Sequence, residues 1–269
     1  MLRFHLPYTK ISENWLNCKK TINGSSIAYF LKKSMVVFFA DFMYMYVICY
    51  NESMEMLNQT IILIFYIGIL IMSVVIHEVS HGLMALWLGD TTAKQYGRLT
   101  LNPIPHLDLF GSLLVPLTLW IISAGSFVFG WAKPVPYNPY NLKDQKKGPA
   151  LVALAGPLSN LLIAIIFGFV FKFVWPVMAF TNSAELAQII FTAIIIINIV
   201  LAIFNLIPIP PLDGSKILFA ILPPSMDYVR ETIEKHGFII LVIFLIVGSP
   251  AINAIINGVL MLFAKIIGI

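Results

Sequence analysis

Charge is what this sequence has least of. Its 269 residues include 17 Lys and Arg and 13 Asp and Glu, 11% of the chain, where a soluble domain carries about 25%. A water-soluble globule is excluded on that ground. Cysteine is almost missing as well. Cys18 and Cys49 lie far apart and form no CxxC pair, so neither a disulfide framework nor a thiolate zinc site is indicated. No stretch repeats another, which gives no support to a transporter built from duplicated halves. Arg3 is followed by roughly thirty mixed polar residues before any apolar run, a pattern unlike a secretory signal peptide.

Apolar residues make up 59% of the chain, and they are gathered into runs. Residues 57–76, 109–132, 149–171, 186–211 and 237–264 contain no Asp, Glu, Lys or Arg. As a helix, each is long enough to cross about 30 Å of hydrocarbon. The expected fold is therefore an all-α polytopic membrane protein with about five to six transmembrane helices. In such a chain an isoelectric point near 9.0 reports basic cytoplasmic loops rather than a nucleic-acid partner.

Four segments follow along the chain. Residues 1–33 are polar and basic, and 34–56 hold a short apolar stretch, interrupted by Asp41, and an acidic turn. Residues 57–222 form the core, and 223–269 a charged amphipathic stretch followed by a long apolar run. Within the core, a strong helix runs from Leu57 to about Leu88 and ends at Gly89-Asp90. Residues 91–108 carry β-branched residues, glycine and two prolines, the composition of a short strand plus loop. Gly111, Pro116, Gly125 and Gly130 punctuate 109–132, and prolines keep the basic 133–148 stretch non-helical. Firm spans follow near 149–171 and 186–207. The run at 237–264 is broken by Gly248-Ser249-Pro250 and reads as one kinked helix or two short ones.

The chemistry begins with His77-Glu78-Val79-Ser80-His81, an HExxH pattern inside a helical apolar run. Two imidazoles four residues apart share one helix face, one turn apart, a geometry suited to zinc. Glu78 projects beside them, where it can accept a proton from a water that zinc has made acidic. A five-residue pattern can arise by accident, and most helical histidines are structural. Here, however, three ionisable groups interrupt a membrane span at a cost of roughly 2.5 kcal/mol or more each, so a compensating metal is expected. A catalytic zinc takes three protein ligands and leaves one position open. For the third, Asp213 sits just past a span, where prolines stop the helix and Gly214 permits close approach. His106, Asp108 and Asp41 are the rivals.

Taken together, the motifs resemble a known family. HEVSH within a span, Gly156-Pro157-Leu158-Ser159-Asn160 opening a later one, and Asn205 with Pro208-Ile209-Pro210-Pro211-Leu212-Asp213-Gly214 closing the next are similar to the site-2 protease family of intramembrane zinc metalloproteases. The similarity runs from Leu57 to about Leu222. Gly97-Arg98-Leu99-Thr100-Leu101-Asn102-Pro103 and Gly130-Trp131-Ala132-Lys133-Pro134-Val135-Pro136 resemble its small bacterial and archaeal branch, which lacks a PDZ domain. The resemblance implies that His77, His81 and Asp213 bind one Zn2+ per chain, that Glu78 is the general base, and that Asn205 helps stabilise the tetrahedral intermediate. On the residues alone, a helix-terminal cap competes for Asn205. Asn160 is read either as an interhelical hydrogen-bonder or as a group near the metal. Residues 1–56 match no motif of the family.

Topology constrains the site independently, because the ligands must meet on one side of the membrane. If 109–132 crossed fully, Asp213 would end some 20 Å or more from the histidines. A re-entrant segment brings them together, provided that it is shielded by protein or lines a cavity. Lys94, Arg98, Lys133, Lys143, Lys146, Lys147, Lys216, Arg230 and Lys235 then share the site's side, which is therefore cytoplasmic. Arg98–Asn102 and Phe127–Pro136 are expected to form a small membrane-associated β element whose free edge takes an extended substrate. The function expected is hydrolysis of peptide bonds in or near transmembrane segments, in the cell membrane. The partners are the bilayer and a membrane-protein or peptide substrate. The rivals are a hydrolase acting on a lipid or prenylated protein, and a metal transporter or sensor using the same ligands.

Overall fold

The long apolar runs fold as helices, since inside hydrocarbon each backbone N–H and C=O must find its partner within the segment. The computed structural model describes residues 56–122, 132–181 and 184–268. In chain order its helices are α1 (Met56–Trp87), the single turn α2 (Thr92–Gln95), α3 (Val115–Ile122), α4 (Gly148–Met178), α5 (Ala184–Asn205), α6 (Asp213–Ile221) and α7 (Asp227–Ile267). A π-helical stretch at Leu109–Leu114 leads into α3. Among the described residues three helices are long and apolar enough to cross a membrane, spanning Ile61–Trp87, Gly148–Met178 and Ala184–Asn205.

Those three helices form the framework. Ile62 and Tyr66 of α1 pack against Ile189, Ala193 and Ile197 of α5. Ala85 near the end of α1 meets Val152 of α4 and Leu142 of the intervening loop. Ala164 of α4, Ile195 and Ile199 of α5, and Leu241, Ile252 and Ile256 of α7 make a further buried cluster. The run at 237–264 belongs to one continuous helix of 41 residues, α7. Membrane helices tolerate glycine and proline where neighbouring helices support them, and α4 and α5 lie alongside. Lys172, near the end of α4, pairs with the end of α7. Its Nζ donates to the Ile267 carbonyl at 2.5 Å, neutralising the negative end of α7.

Asp90 ties the end of α1 to the loop before α4. Fully buried, it accepts from the Thr92 N–H (3.1 Å), the Asn138 N–H (2.7 Å) and the Asn141 amide (2.9 Å). Burial alone would raise its pKa, but these donors and the Thr92 hydroxyl outweigh it and hold the carboxyl below its ordinary range. The Lys143 N–H also bonds the Leu88 carbonyl at 3.0 Å. The loop from 88 to 147 thus starts and finishes at one end of the bundle.

The expected strand at Arg98–Asn102 does not form, and there is no strand among the described residues. Arg98 is buried and its guanidinium donates to the carbonyls of Lys133 (2.7 Å) and Pro134 (3.3 Å), groups that a ladder would have used. Pro134 and Pro136 offer no N–H, and those of Lys133 and Val135 go to the His106 carbonyl and the Glu78 carboxylate, both at 2.9 Å. Arg98 and the described residues 132–136 therefore meet through a side chain instead of a sheet. The expected span within 34–56 and residues 123–131 of the expected re-entrant segment lie outside the described residues.

Candidate metal centre

His77 and His81 lie one turn apart in the second half of α1, as their i, i+4 spacing dictates. Both are buried within a helix that can span a membrane, so each ring nitrogen needs a partner from the protein or a metal. The outer nitrogens have theirs. His77 Nδ1 lies 2.6 Å from Asn160 Oδ1, and His81 Nδ1 lies 2.7 Å from the Val152 carbonyl, both on α4. Both partners are acceptors, so each Nδ1 carries a proton, and in the neutral form each ring turns an Nε2 lone pair inward.

Those lone pairs meet a carboxylate. His77 Nε2 and His81 Nε2 are 3.0 Å apart, and Asp213 Oδ2 lies 3.1 Å from each. Asp213 arrives because α5 ends at Asn205, the proline-rich turn carries the chain back over it, and α6 begins at Asp213 itself. Gly214 makes this return possible, because a side chain there would strike the Leu206 and Ile207 carbonyls. Gly156 performs the same service on α4: a Cβ would stand 2.5 Å from His81 Nε2 and 2.6 Å from His77 Cε1.

Three electron-pair donors converging in a buried site suit a cation. Tetrahedral zinc with ligands at about 2.0–2.1 Å has ligand-to-ligand edges of about 3.3 Å, close to the 3.0–3.1 Å triangle here. The donor set, two imidazoles and one carboxylate, is also one that zinc uses. Glu78 offers a competing grouping, its carboxylate lying within 4.8 Å of the ligand atoms of His77 and His81. The triangle with Asp213 is tighter. Glu78 Oε2 is moreover engaged by the Val135 N–H at 2.9 Å, which leaves Glu78 beside the triangle, half-buried.

The other candidates fall elsewhere. His106 is buried in the loop, with Nε2 2.9 Å from the Thr100 carbonyl. Asp108 caps the π-helix, accepting from the Gly111 N–H at 3.0 Å. Asp41 lies outside the described residues. Asn205 donates to the Leu201 carbonyl one turn back at 3.0 Å, and no hydrogen bond joins it to the triangle. Asn160 is joined to the triangle through His77. Ser73 and Asn198, which sequence reasoning passed over, stand behind it: the Asn160 amide donates to Asn198 Oδ1 at 2.8 Å, and the Asn198 amide to Ser73 Oγ at 3.0 Å. An amide alone in the run Ala193 to Phe204 was the available signal, since an unpaired one in hydrocarbon costs several kcal/mol.

The relatives of this chain carry names that fit such a centre. The family model described as Peptidase family M50 matches residues 65–247. "Putative zinc metalloprotease YwhC" of Bacillus subtilis (strain 168) is 40% identical over 206 residues, 73% of this chain and 90% of that protein. "Putative zinc metalloprotease Rip2" of Mycolicibacterium smegmatis is 31% identical over 198 residues, 70% of this chain and 71% of its own length. "Zinc metalloprotease MJ0392" of Methanocaldococcus jannaschii is 31% identical over 115 residues, 42% of this chain and 32% of its own. No solved structure matches. With more than half its length matched by the model, and with YwhC so similar over most of both chains, this chain belongs to peptidase family M50, the site-2 protease family that its motifs resemble.

Proposed function

We propose that this chain is a zinc-dependent intramembrane endopeptidase that hydrolyses peptide bonds in or near transmembrane segments of membrane proteins. The observation that carries the reading is the triangle of His77 Nε2, His81 Nε2 and Asp213 Oδ2, with edges of 3.0–3.1 Å, at the end of a helix that can span a membrane. His77, His81 and Asp213 hold one zinc ion per chain. When bound, zinc supplies Lewis acidity, polarising the scissile carbonyl and making water a better nucleophile. Glu78 takes the proton from the attacking water and delivers it to the departing amine nitrogen, so the C–N bond breaks with no charge stranded in lipid. The Val135 N–H holds one Glu78 oxygen and leaves the other for that shuttle.

The site opens toward the cytoplasm. His81 is bonded to Val152 in the first turns of α4, so the loop between α1 and α4 leaves and returns on one side. The run 109–132 is too short to cross the bilayer and come back, which takes about 40 residues in helical form, so we read it as the re-entrant or surface-bound segment. The lysines of this loop put that side in the cytoplasm, and α4 and α5 go out and back to bring Asp213 home.

The test is cleavage of single-span reporter proteins in membranes, with bound zinc measured in the same preparations. Glu78→Gln is expected to abolish cleavage while retaining zinc. Metal flux across vesicles that survives Glu78→Gln, with no cleavage by wild type, would instead identify a metal transporter. Cleavage of a lipid or of a prenylated terminus, with membrane-span reporters left intact, would identify the other hydrolase class.

A further inference from the structure

Behind His77 lies a relay of hydrogen bonds whose direction is fixed at both ends. Asn160 and Asn198 are each completely buried and Ser73 nearly so, one from each of the helices α4, α5 and α1. Asn160 Oδ1 accepts from His77 at 2.6 Å. Its Nδ2 donates to Asn198 Oδ1 at 2.8 Å and to the Ser73 backbone carbonyl at 3.3 Å. Asn198 Nδ2 in turn donates to the Ile194 carbonyl at 2.8 Å and to Ser73 Oγ at 3.0 Å.

An asparagine amide fits its site in two orientations of nearly equal shape, and hydrogen bonds alone choose between them. A backbone carbonyl can only accept. Ile194 therefore fixes which end of Asn198 carries the oxygen, and that oxygen, with the Ser73 carbonyl, fixes Asn160. Were Asn160 reversed, its NH2 would face His77 Nδ1, the ring proton would move to Nε2, and an N–H would point at Asp213 where a lone pair is needed. None of these hydrogen bonds joins Asn198 to the triangle, yet the orientation of the group that does touch His77 depends on it.

We propose that Asn198 is a positioning residue of the metal centre, acting through Asn160 to hold His77 in the tautomer that offers Nε2 to the metal. This rests on the reading of His77 as a zinc ligand. Partners that orient a metal-bound histidine typically alter metal affinity by about 10–100-fold when removed. The 2.8 Å contact of Asn198 with Asn160 brings it within that range of influence.

The experiment is zinc affinity of the full-length protein in detergent, measured by chelator competition without reference to proteolysis. Asn198→Leu, which keeps the number and branching of the side-chain heavy atoms, is expected to weaken zinc binding by about 10–100-fold. In an Asn160→Asp background a carboxylate faces His77 whichever way it turns. There the same Asn198→Leu step is expected to cost little, a strong coupling between the two positions. Should the leucine variant fail to accumulate, Asn198→Ala removes the same acceptor and takes its place. Wild-type affinity in Asn198→Leu would overturn the proposal, and so would an equal loss in both backgrounds, the mark of packing alone. Wild-type protein that binds no zinc would overturn the metal reading itself, and this inference with it.

Discussion

His77 and His81 each have an outer nitrogen committed to α4 and an inner one facing Asp213, so ligand geometry depends on how closely α4 can approach. Gly156 sets that approach. Gly156→Ala is expected to push the rings apart and remove zinc, read as metal content below that of wild type, with helix content by circular dichroism unchanged. Glu78→Gln keeps the triangle intact and loses only the proton acceptor. Turnover should fall by about 10^2–10^4-fold, the usual contribution of a general base, at unchanged zinc stoichiometry. For Asn205 the structure adds a condition: to donate to an oxyanion its amide must first leave the Leu201 carbonyl. Asn205→Ala should then lower kcat with zinc affinity and KM untouched, whereas a capping role would show as a lower melting temperature and unchanged kcat.

At the scale of elements, the loop between α1 and α4 is held by buried polar groups where a sheet was expected. Asp90→Asn puts an NH2 among donors, and is expected to destabilise the protein by about 1–3 kcal/mol at neutral pH, the cost of a buried group left unsatisfied. The pH dependence has a definite sign. Because the folded pKa of Asp90 is depressed, its contribution is fully present above the ordinary carboxylate value, about 3.9. It is lost as pH falls from there through the folded value. Thermal melts in detergent should show that acid limb in wild type and a weaker one in Asp90→Asn. HExxH and the proline-stopped helix before Asp213 were legible because spacing and helix-breaking are local properties of the chain. The 98–102 segment was misread because its β-like composition is local, while Arg98 takes the carbonyls of residues 133 and 134 through a contact that no local pattern records. Asn198 escaped notice for the same reason: its partners come from two other helices.

For the whole molecule, hydropathy marked three runs that the structure folds as helices long and apolar enough to cross a membrane. The run at 237–264 merges into α7, whose first turns are charged, and 109–122 breaks into a π-helical stretch and a short helix. What joins these pieces is return of the chain to one side, and that is open to test. With Cys18 and Cys49 replaced by serine, Lys94→Cys and Lys143→Cys are expected to react with an impermeant maleimide only from the cytoplasmic face, and Glu185→Cys only from the opposite one. Labelling of Lys94→Cys and Lys143→Cys from different faces would mean that 109–132 crosses the membrane. The most direct measurement is zinc per chain in purified wild type, Asp213→Asn and His81→Ala. One equivalent in wild type, lost or held far more weakly in both variants, is the expected result. Zinc retained at wild-type affinity in Asp213→Asn would contradict the idea that a carboxylate from beyond α5 completes a metal centre begun on α1.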